Sequence, residues 1–125
     1  MPVSPHRRPI RWIGSSLDEL RAFPKPVRTI IGVALNEAHL GGKHAAAKPL
    51  RGFHGAGVVE IFDDFDGDTF RAVYTVRFFG VVYVLHVFQK KSKKGIATPK
   101  ANLDLIKLRL RYAERDYADL RSEMR

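Results

Sequence analysis

The sequence predicts a single α+β domain, in which a small antiparallel meander sheet is flanked by two N-terminal helices and a long C-terminal helix. Amphipathic helical periodicity occurs towards both ends of the chain, and three short apolar runs separated by tight turns lie between them. The length of 125 residues suits one packed core and is too short for two domains. We therefore expect residues 1–9 to form a flexible basic tail and residues 10–125 to form the domain.

The domain is predicted to begin with a short strand and a short helix. The strand is the apolar patch Ile10–Ile13, which Gly14 interrupts. Ser16 and Glu19 have the spacing of a capping box, so a helix is expected to start there and to stop before Pro24.

A second helix is predicted to start at Pro26 and to end at the glycine pair Gly41–Gly42. Its apolar residues have the spacing of one buried stripe, namely Val27, Ile30, Ile31, Ala34, Leu35 and Ala38. The following segment, Gly42–Gly57, is rich in glycine and basic residues, which is typical of a loop leading into a sheet.

Three consecutive strands are predicted in the middle of the chain. Val58–Phe62 and Phe70–Phe78 flank a turn centred on Asp66–Gly67, which gives a hairpin. A second tight turn at Phe79–Gly80 leads into Val81–Gln89. Because this last run is almost wholly apolar, we expect a central strand that is buried on both faces.

The chain is predicted to end in a long helix, with Thr98 as its N-cap and Pro99 at its first position. One face carries apolar residues at intervals of three and four, which are Leu103, Ile106, Leu110, Ala113, Tyr117 and Leu120. The other face mixes charges of both signs, which is typical of a solvated surface.

The composition limits the classes of function. Lys and Arg number 22 against 13 Asp and Glu, and the formal charge of +9 favours binding to phosphates. A membrane surface or an acidic protein would be attracted by the same charge, so charge alone leaves the partner open. The absence of cysteine excludes disulfides, thiolate metal sites and a cysteine nucleophile. No apolar run approaches the roughly 18 residues that span a bilayer, so we expect a cytoplasmic protein without membrane association.

A run of lysines after the last predicted strand is the most informative local feature. It contains Lys90, Lys91, Lys93 and Lys94. Taken alone, such a run is most often a solvated turn. Strand parity, however, places Arg71 and Arg77 on one face of the preceding strand, so a basic surface suited to a phosphate backbone is expected to continue from the sheet into this run. Basic residues of the earlier loop would extend that surface, namely His44, Lys48, Arg51 and His54.

Other candidate sites are explained by structure. His86 lies within the apolar strand and is expected to be a hydrogen-bonded core histidine. The acidic segment Asp63–Asp68 lacks the glycine position and the closing glutamate of an EF-hand loop, so a hairpin turn explains it better. Phosphate-loop, zinc and serine-elbow motifs are absent, so we expect neither a metal nor a cofactor. Catalysis would then depend on lysine, arginine and either histidine or Glu60.

The segment Leu85–Ser92, with the sequence Leu-His-Val-Phe-Gln-Lys-Lys-Ser, is followed by Thr98–Pro99 and a long helix. This arrangement resembles the HigB-like toxins of the RelE/ParE superfamily. The resemblance covers nearly the whole chain and includes Phe23–Pro24, Lys48–Gly52, Val59–Ile61 and Phe70–Arg71. It implies a RelE/ParE-like fold, a metal-independent endonuclease that cuts mRNA on the ribosome, and neutralisation by a helix-turn-helix antitoxin.

By position, the resemblance implies that Arg71, Lys90 and Lys91 are catalytic. The RNA-binding residues would be Lys48, Arg51, Arg77, Lys93 and Lys94. Two residues depart from the family pattern: Phe62 stands where relatives often carry a basic residue, and Ile106 where a small alanine is usual.

The expected reaction is attack of an RNA 2′-hydroxyl on the adjacent phosphate, with lysine and arginine stabilising the developing charge. The residue that removes the proton is left open. Two alternatives of different class remain: a relative of the same fold that poisons DNA gyrase, and a non-catalytic module that only binds RNA phosphates.

Overall fold

The computed structural model describes residues 8–53, 57–90 and 98–123 of the chain. Within these ranges the elements follow in the order β1 (Ile10–Trp12), α1 (Ser16–Arg21), α2 (Lys25–His39), β2 (Lys48–Pro49), β3 (Val58–Phe65), β4 (Asp68–Thr75), β5 (Val82–Lys90) and α3 (Lys100–Glu123). The predicted α+β class, the two N-terminal helices and the long C-terminal helix are confirmed. No helix in these ranges is long and apolar enough to cross a membrane.

The sheet has five strands in the order β1-β5-β4-β3-β2. The predicted meander is confirmed, because β3, β4 and β5 pair antiparallel in sequence order. The prediction of a purely antiparallel sheet is wrong, since β1 pairs parallel with β5. A parallel neighbour needs a long crossover, and the chain between β1 and β5 supplies one. The segment predicted as a loop also contributes the two-residue edge strand β2.

The β3–β4 hairpin has the predicted two-residue turn. Asp66 and Gly67 have φ angles of 50° and 84°, and this pair of positive angles is the geometry of a type I′ turn. Strand β3 runs on to Phe65, three residues further than predicted. Strand β4 ends at Thr75, before the predicted end, and the Thr75 hydroxyl there accepts a hydrogen bond from the Arg77 backbone N–H.

The sheet separates two hydrophobic clusters. Helices α1 and α2 pack on one face, with alternate β4 residues Phe70, Ala72 and Tyr74. Helix α3 packs on the other face, where Val73 points. Residues Val82 to Phe88 of β5 are all buried, which confirms the prediction of a strand covered on both faces.

All three predicted helix starts are displaced by one residue, and α2 begins at Lys25 rather than at Pro26. Helix α1 is preceded by Ser15, and no side chain caps it. Ser16 lies inside the helix, is fully buried, and donates a hydrogen bond from its hydroxyl to the Val84 carbonyl oxygen at 3.3 Å, so the capping-box prediction is wrong. Helix α3 begins at Lys100, which leaves Pro99 before the first helical residue.

Candidate active site

A buried ion pair lies on the sheet face that α3 covers. Arg71 Nη1 lies 3.3 Å from Glu60 Oε2, and the two side chains are 2% and 16% exposed. The hairpin register produces this contact, because Phe62 lies opposite Arg71 and Glu60 is two residues further along the same face of β3. The pair therefore depends directly on the turn that joins β3 and β4.

Two further contacts hold the Arg71 guanidinium. Its Nη1 donates a hydrogen bond to the Thr98 hydroxyl at 3.1 Å, just before α3 begins. The guanidinium carbon lies 5.5 Å from the centre of the Phe62 ring, which is within the range of a cation–π contact. Arg71 thus joins both strands of the hairpin to the start of the long helix.

A cleft of about 470 Å³ opens beside this pair, and we call it the Glu60 cleft. The residues that line it include Lys48, Arg51, Glu60, Phe62, Thr98 and Leu103. Strand β2 places Lys48 directly opposite Glu60, and Lys48 Nζ lies 6.0 Å from the Phe62 ring centre. Arg71 and Lys48 act electrostatically on the Glu60 carboxylate, and Arg51 also lines the cleft, so the cleft suits a negatively charged ligand.

Glu60 has a perturbed acidity. Burial raises the pKa of its carboxyl above the ordinary value, although Arg71, Lys48 and Thr98 all act to lower it. A carboxylate with a raised pKa accepts a proton more readily than an ordinary glutamate does. Such a group in a cleft is a candidate general base.

The predicted site residues fall into four groups, one of which is Arg77 alone. Arg71, Lys48 and Arg51 come together at the Glu60 cleft. Lys90 is the last residue of β5, pairs with Thr69, and by strand parity shares the face that carries Arg71. The remaining predicted lysines and one histidine lie outside the described residues, namely Lys91, Lys93, Lys94 and His54.

Arg77 is placed away from the Glu60 cleft. It follows the end of β4 and lies 3.6 Å from Glu114 on α3, and both side chains are about half exposed. Arg71 is almost completely buried. The continuous basic surface expected from strand parity is therefore not formed between these two arginines, because one is enclosed and the other pairs with a distant turn of α3.

His86 is part of a separate polar cluster. Its Nε2 donates to Asn102 Oδ1 at 2.8 Å, and its Nδ1 accepts from Arg109 Nη1 at 3.3 Å. The ring also stacks on Phe88 with 4.7 Å between centres. Burial lowers the histidine pKa, so the neutral ring is favoured. The prediction of a hydrogen-bonded core histidine is confirmed.

The structure adds Phe62 and Thr98 to the site and gives Glu60 a central place in it. The alternation of residues along β3, combined with the Asp66–Gly67 turn, was a signal that could have placed Glu60 and Phe62 beside Arg71. No comparable signal exists for Thr98, because its position depends on how α3 packs on the sheet.

Residues 18–111 match the family model described as phage-derived protein Gp49-like (DUF891). No curated protein and no solved structure matches the chain. The matched segment contains the whole Glu60 cleft and the strands that form it.

Proposed function

We propose that the chain, which belongs to the Gp49-like family of phage-derived proteins, is a HigB-like toxin that cleaves mRNA on the ribosome. The family is toxin-like and related to RelE, and its members often occur in toxin–antitoxin systems. The observation that supports nuclease chemistry is the Glu60 cleft, in which a carboxylate of raised pKa lies near Arg71 and Lys48, with Arg51 also lining the cleft. This combination provides both a base and charge stabilisation.

The proposed reaction starts with the RNA 2′-hydroxyl. Glu60 accepts its proton while the 2′ oxygen forms a bond to the adjacent phosphorus, and the bond from phosphorus to the 5′ oxygen breaks. Lys48 and Arg51 stabilise the negative charge on the phosphorus-bound oxygens. Arg71 holds the Glu60 carboxylate in place. Lys90 and Lys91 remain predictions, as additional cations that stabilise charge or protonate the leaving oxygen.

Phe62 is proposed to contact a base rather than a phosphate. Its half-buried ring lines the cleft, at a position where the resemblance to HigB-like toxins implies a basic side chain. Aromatic rings stack on the unpaired bases of single-stranded RNA. The cationic charge lost at this position is partly replaced by Lys48, which lies close to the ring.

The partner proposed for the free toxin is a helix-turn-helix antitoxin. The family's occurrence in toxin–antitoxin systems supports an antitoxin. The net charge of +9 would attract an acidic segment of such a protein.

The test is inducible expression in a bacterium, with growth and the 5′ ends of cellular mRNA as readouts. The unmodified protein is compared with Glu60→Gln and with Glu114→Gln, a matched control whose carboxylate is exposed and pairs with Arg77. We expect growth arrest with new mRNA ends for the unmodified protein and for Glu114→Gln, and loss of both in Glu60→Gln at equal expression.

Other outcomes separate the alternatives. Cleavage by Glu60→Gln at the unmodified rate would contradict the role of Glu60. Arrest without new mRNA ends would indicate gyrase or another target, and the absence of arrest would leave a non-catalytic RNA-binding module.

A further inference from the structure

A second cleft, of about 380 Å³, lies between the C-terminal end of α2 and the sheet. We call it the Tyr74 cleft, because Tyr74 of β4 lines it together with the cationic residues Arg8 and Lys43. Tyr74 packs in the core cluster of α1 and α2, whereas Val73 packs in that of α3. The Tyr74 cleft is therefore on the opposite side of the sheet from the Glu60 cleft, and the proposed nuclease reaction does not use it.

Specific backbone contacts bring the two cations to this cleft. The Arg8 N–H donates to the His39 carbonyl oxygen, and His39 Nδ1 donates to the Arg8 carbonyl oxygen, both at 2.6 Å. These paired bonds fix Arg8 beside the last turn of α2. Lys43 is positioned by the helix end, where the Gly42 N–H donates to the Glu37 carbonyl oxygen at 2.8 Å.

The Tyr74 hydroxyl is a hydrogen-bond donor on a side chain that lines the cleft. Tyr74 is 1% exposed, and its hydroxyl has no hydrogen-bond partner among the described residues. Burial and the nearby charge of Glu37 raise the pKa of Tyr74 to about 12, so the hydroxyl keeps its proton at neutral pH. A buried donor without an acceptor is unfavourable, and a ligand oxygen would satisfy it.

The charges around the hydroxyl indicate the class of ligand. Arg8 and Lys43 contribute two positive charges, and Glu37 contributes one negative charge nearby. The remaining single positive charge matches a monoanion better than a phosphate dianion. We propose that the Tyr74 cleft binds a carboxylate, which accepts a hydrogen bond from Tyr74 and pairs with Arg8 and Lys43.

The carboxylate could belong to a free small acid or to an acidic residue of a protein. An exposed apolar stripe along α2 and its C-cap favours the protein source, because the C-terminal end of this helix borders the cleft. It consists of Ile30, Val33 and Leu40, which are 39%, 47% and 49% exposed. Such a stripe on the helix that borders a carboxylate site fits an amphipathic acidic segment of a partner.

The test is an NMR titration of the full chain with sodium acetate, at constant ionic strength maintained with sodium chloride. Amide signals of Gly41 and Gly42 report binding in the unmodified protein, in Tyr74→Phe, and in the control Tyr112→Phe, whose ring is 47% exposed on α3. We expect saturable shifts in the unmodified protein, an acetate affinity at least tenfold lower in Tyr74→Phe, and an unchanged acetate affinity in Tyr112→Phe. Lys43→Gln should weaken binding similarly and provides a second variant if Tyr74→Phe does not fold.

Equal acetate affinity in the unmodified protein, Tyr74→Phe and Lys43→Gln would overturn the proposal. Tighter binding of inorganic phosphate than of acetate would overturn the assignment to carboxylates. A peptide amide with one glutamate between leucines distinguishes the two sources of the carboxylate. A peptide affinity above that of acetate, which is lost when the glutamate is replaced by glutamine, supports a protein ligand. A peptide affinity equal to that of acetate supports a free acid. The assay requires no cleavage, so its result is independent of the proposed nuclease.

Discussion

At the residue scale, Arg71 has a structural and an electrostatic role that cannot be separated. Its side chain is enclosed between the sheet and α3, and its guanidinium contacts Glu60, Thr98 and the Phe62 ring. A buried ion pair adds little net stability compared with apolar residues, but removing one partner leaves the other charge without compensation. Removal of the arginine is therefore expected to lower the stability of the fold, in addition to any effect on catalysis.

We predict that Arg71→Ala destabilises the protein by about 3 kcal/mol or more at neutral pH, because Glu60 then remains buried without its partner. Urea unfolding measures the effect. Without Arg71 the pKa of Glu60 rises further above its unfolded value, so the loss should be smaller at acidic pH and grow as the pH rises. Arg77→Ala is the control and should cost under about 1 kcal/mol, because that ion pair is half exposed. Equal losses for the two variants would contradict this account.

Phe62 supports a second prediction at this scale. If its ring stacks on a base, Phe62→Leu should weaken the binding of a short single-stranded RNA by about 1–3 kcal/mol, and Phe62→Tyr should bind normally. Filter binding in a Glu60→Gln background prevents cleavage during the measurement. Phe79→Leu serves as the control, since Phe79 is 93% exposed and is not among the residues that line the cleft. An unchanged affinity of Phe62→Leu would exclude stacking.

At the element scale, a polar contact joins the first strand to the last helix. Arg11 of β1 donates from Nε to Asp116 of α3 at 2.6 Å, and the Tyr83 hydroxyl of β5 donates to the same carboxylate at 2.7 Å. The Arg11 hydrogen bond, with that of Tyr83, lowers the pKa of Asp116 below its ordinary value. The edge strand β1 is thus held by α3 as well as by its parallel pairing.

We predict that Asp116→Asn lowers the free energy of unfolding by about 1 kcal/mol at neutral pH, because the contact is partly exposed. A carboxylate with a lowered pKa stabilises the fold above its unfolded pKa, and this contribution disappears as the pH falls through the folded pKa. The difference between Asp116→Asn and the unmodified protein should therefore shrink as the pH falls below the ordinary aspartate pKa of about 3.9 and on through the lower pKa of folded Asp116. Thermal unfolding across the pH range measures it, and a constant difference would show that the charge is not involved.

The sequence predicted a helix or a strand correctly where a regular pattern of apolar residues extends over many positions. Helix α2 and the meander followed from apolar spacing and from the Asp66–Gly67 turn. The direction of β1 was not predictable, because a four-residue apolar patch carries no information about which neighbour it pairs with. Glu60 could have been placed beside Arg71 from the hairpin register. The burial of Arg71 could not be predicted, because it depends on how α3 packs on the sheet, and the apolar stripe of α3 does not specify this packing.

At the scale of the whole molecule, the charge of +9 gives a general attraction to RNA, and the Glu60 cleft is proposed to make it specific. Each cation that contacts a phosphate contributes about 0.7 to the slope of log affinity against log salt for single strands. The double variant Lys48→Gln/Arg51→Gln should therefore reduce this slope by about 1.4. A control pair, Arg28→Gln and Lys25→Gln on exposed positions of α2, removes the same charge from another part of the surface. RNA binding is measured from low to physiological salt in a Glu60→Gln background. The control pair should keep the slope of the protein with Glu60→Gln alone. Equal slopes for the two double variants would mean that net charge alone determines the affinity.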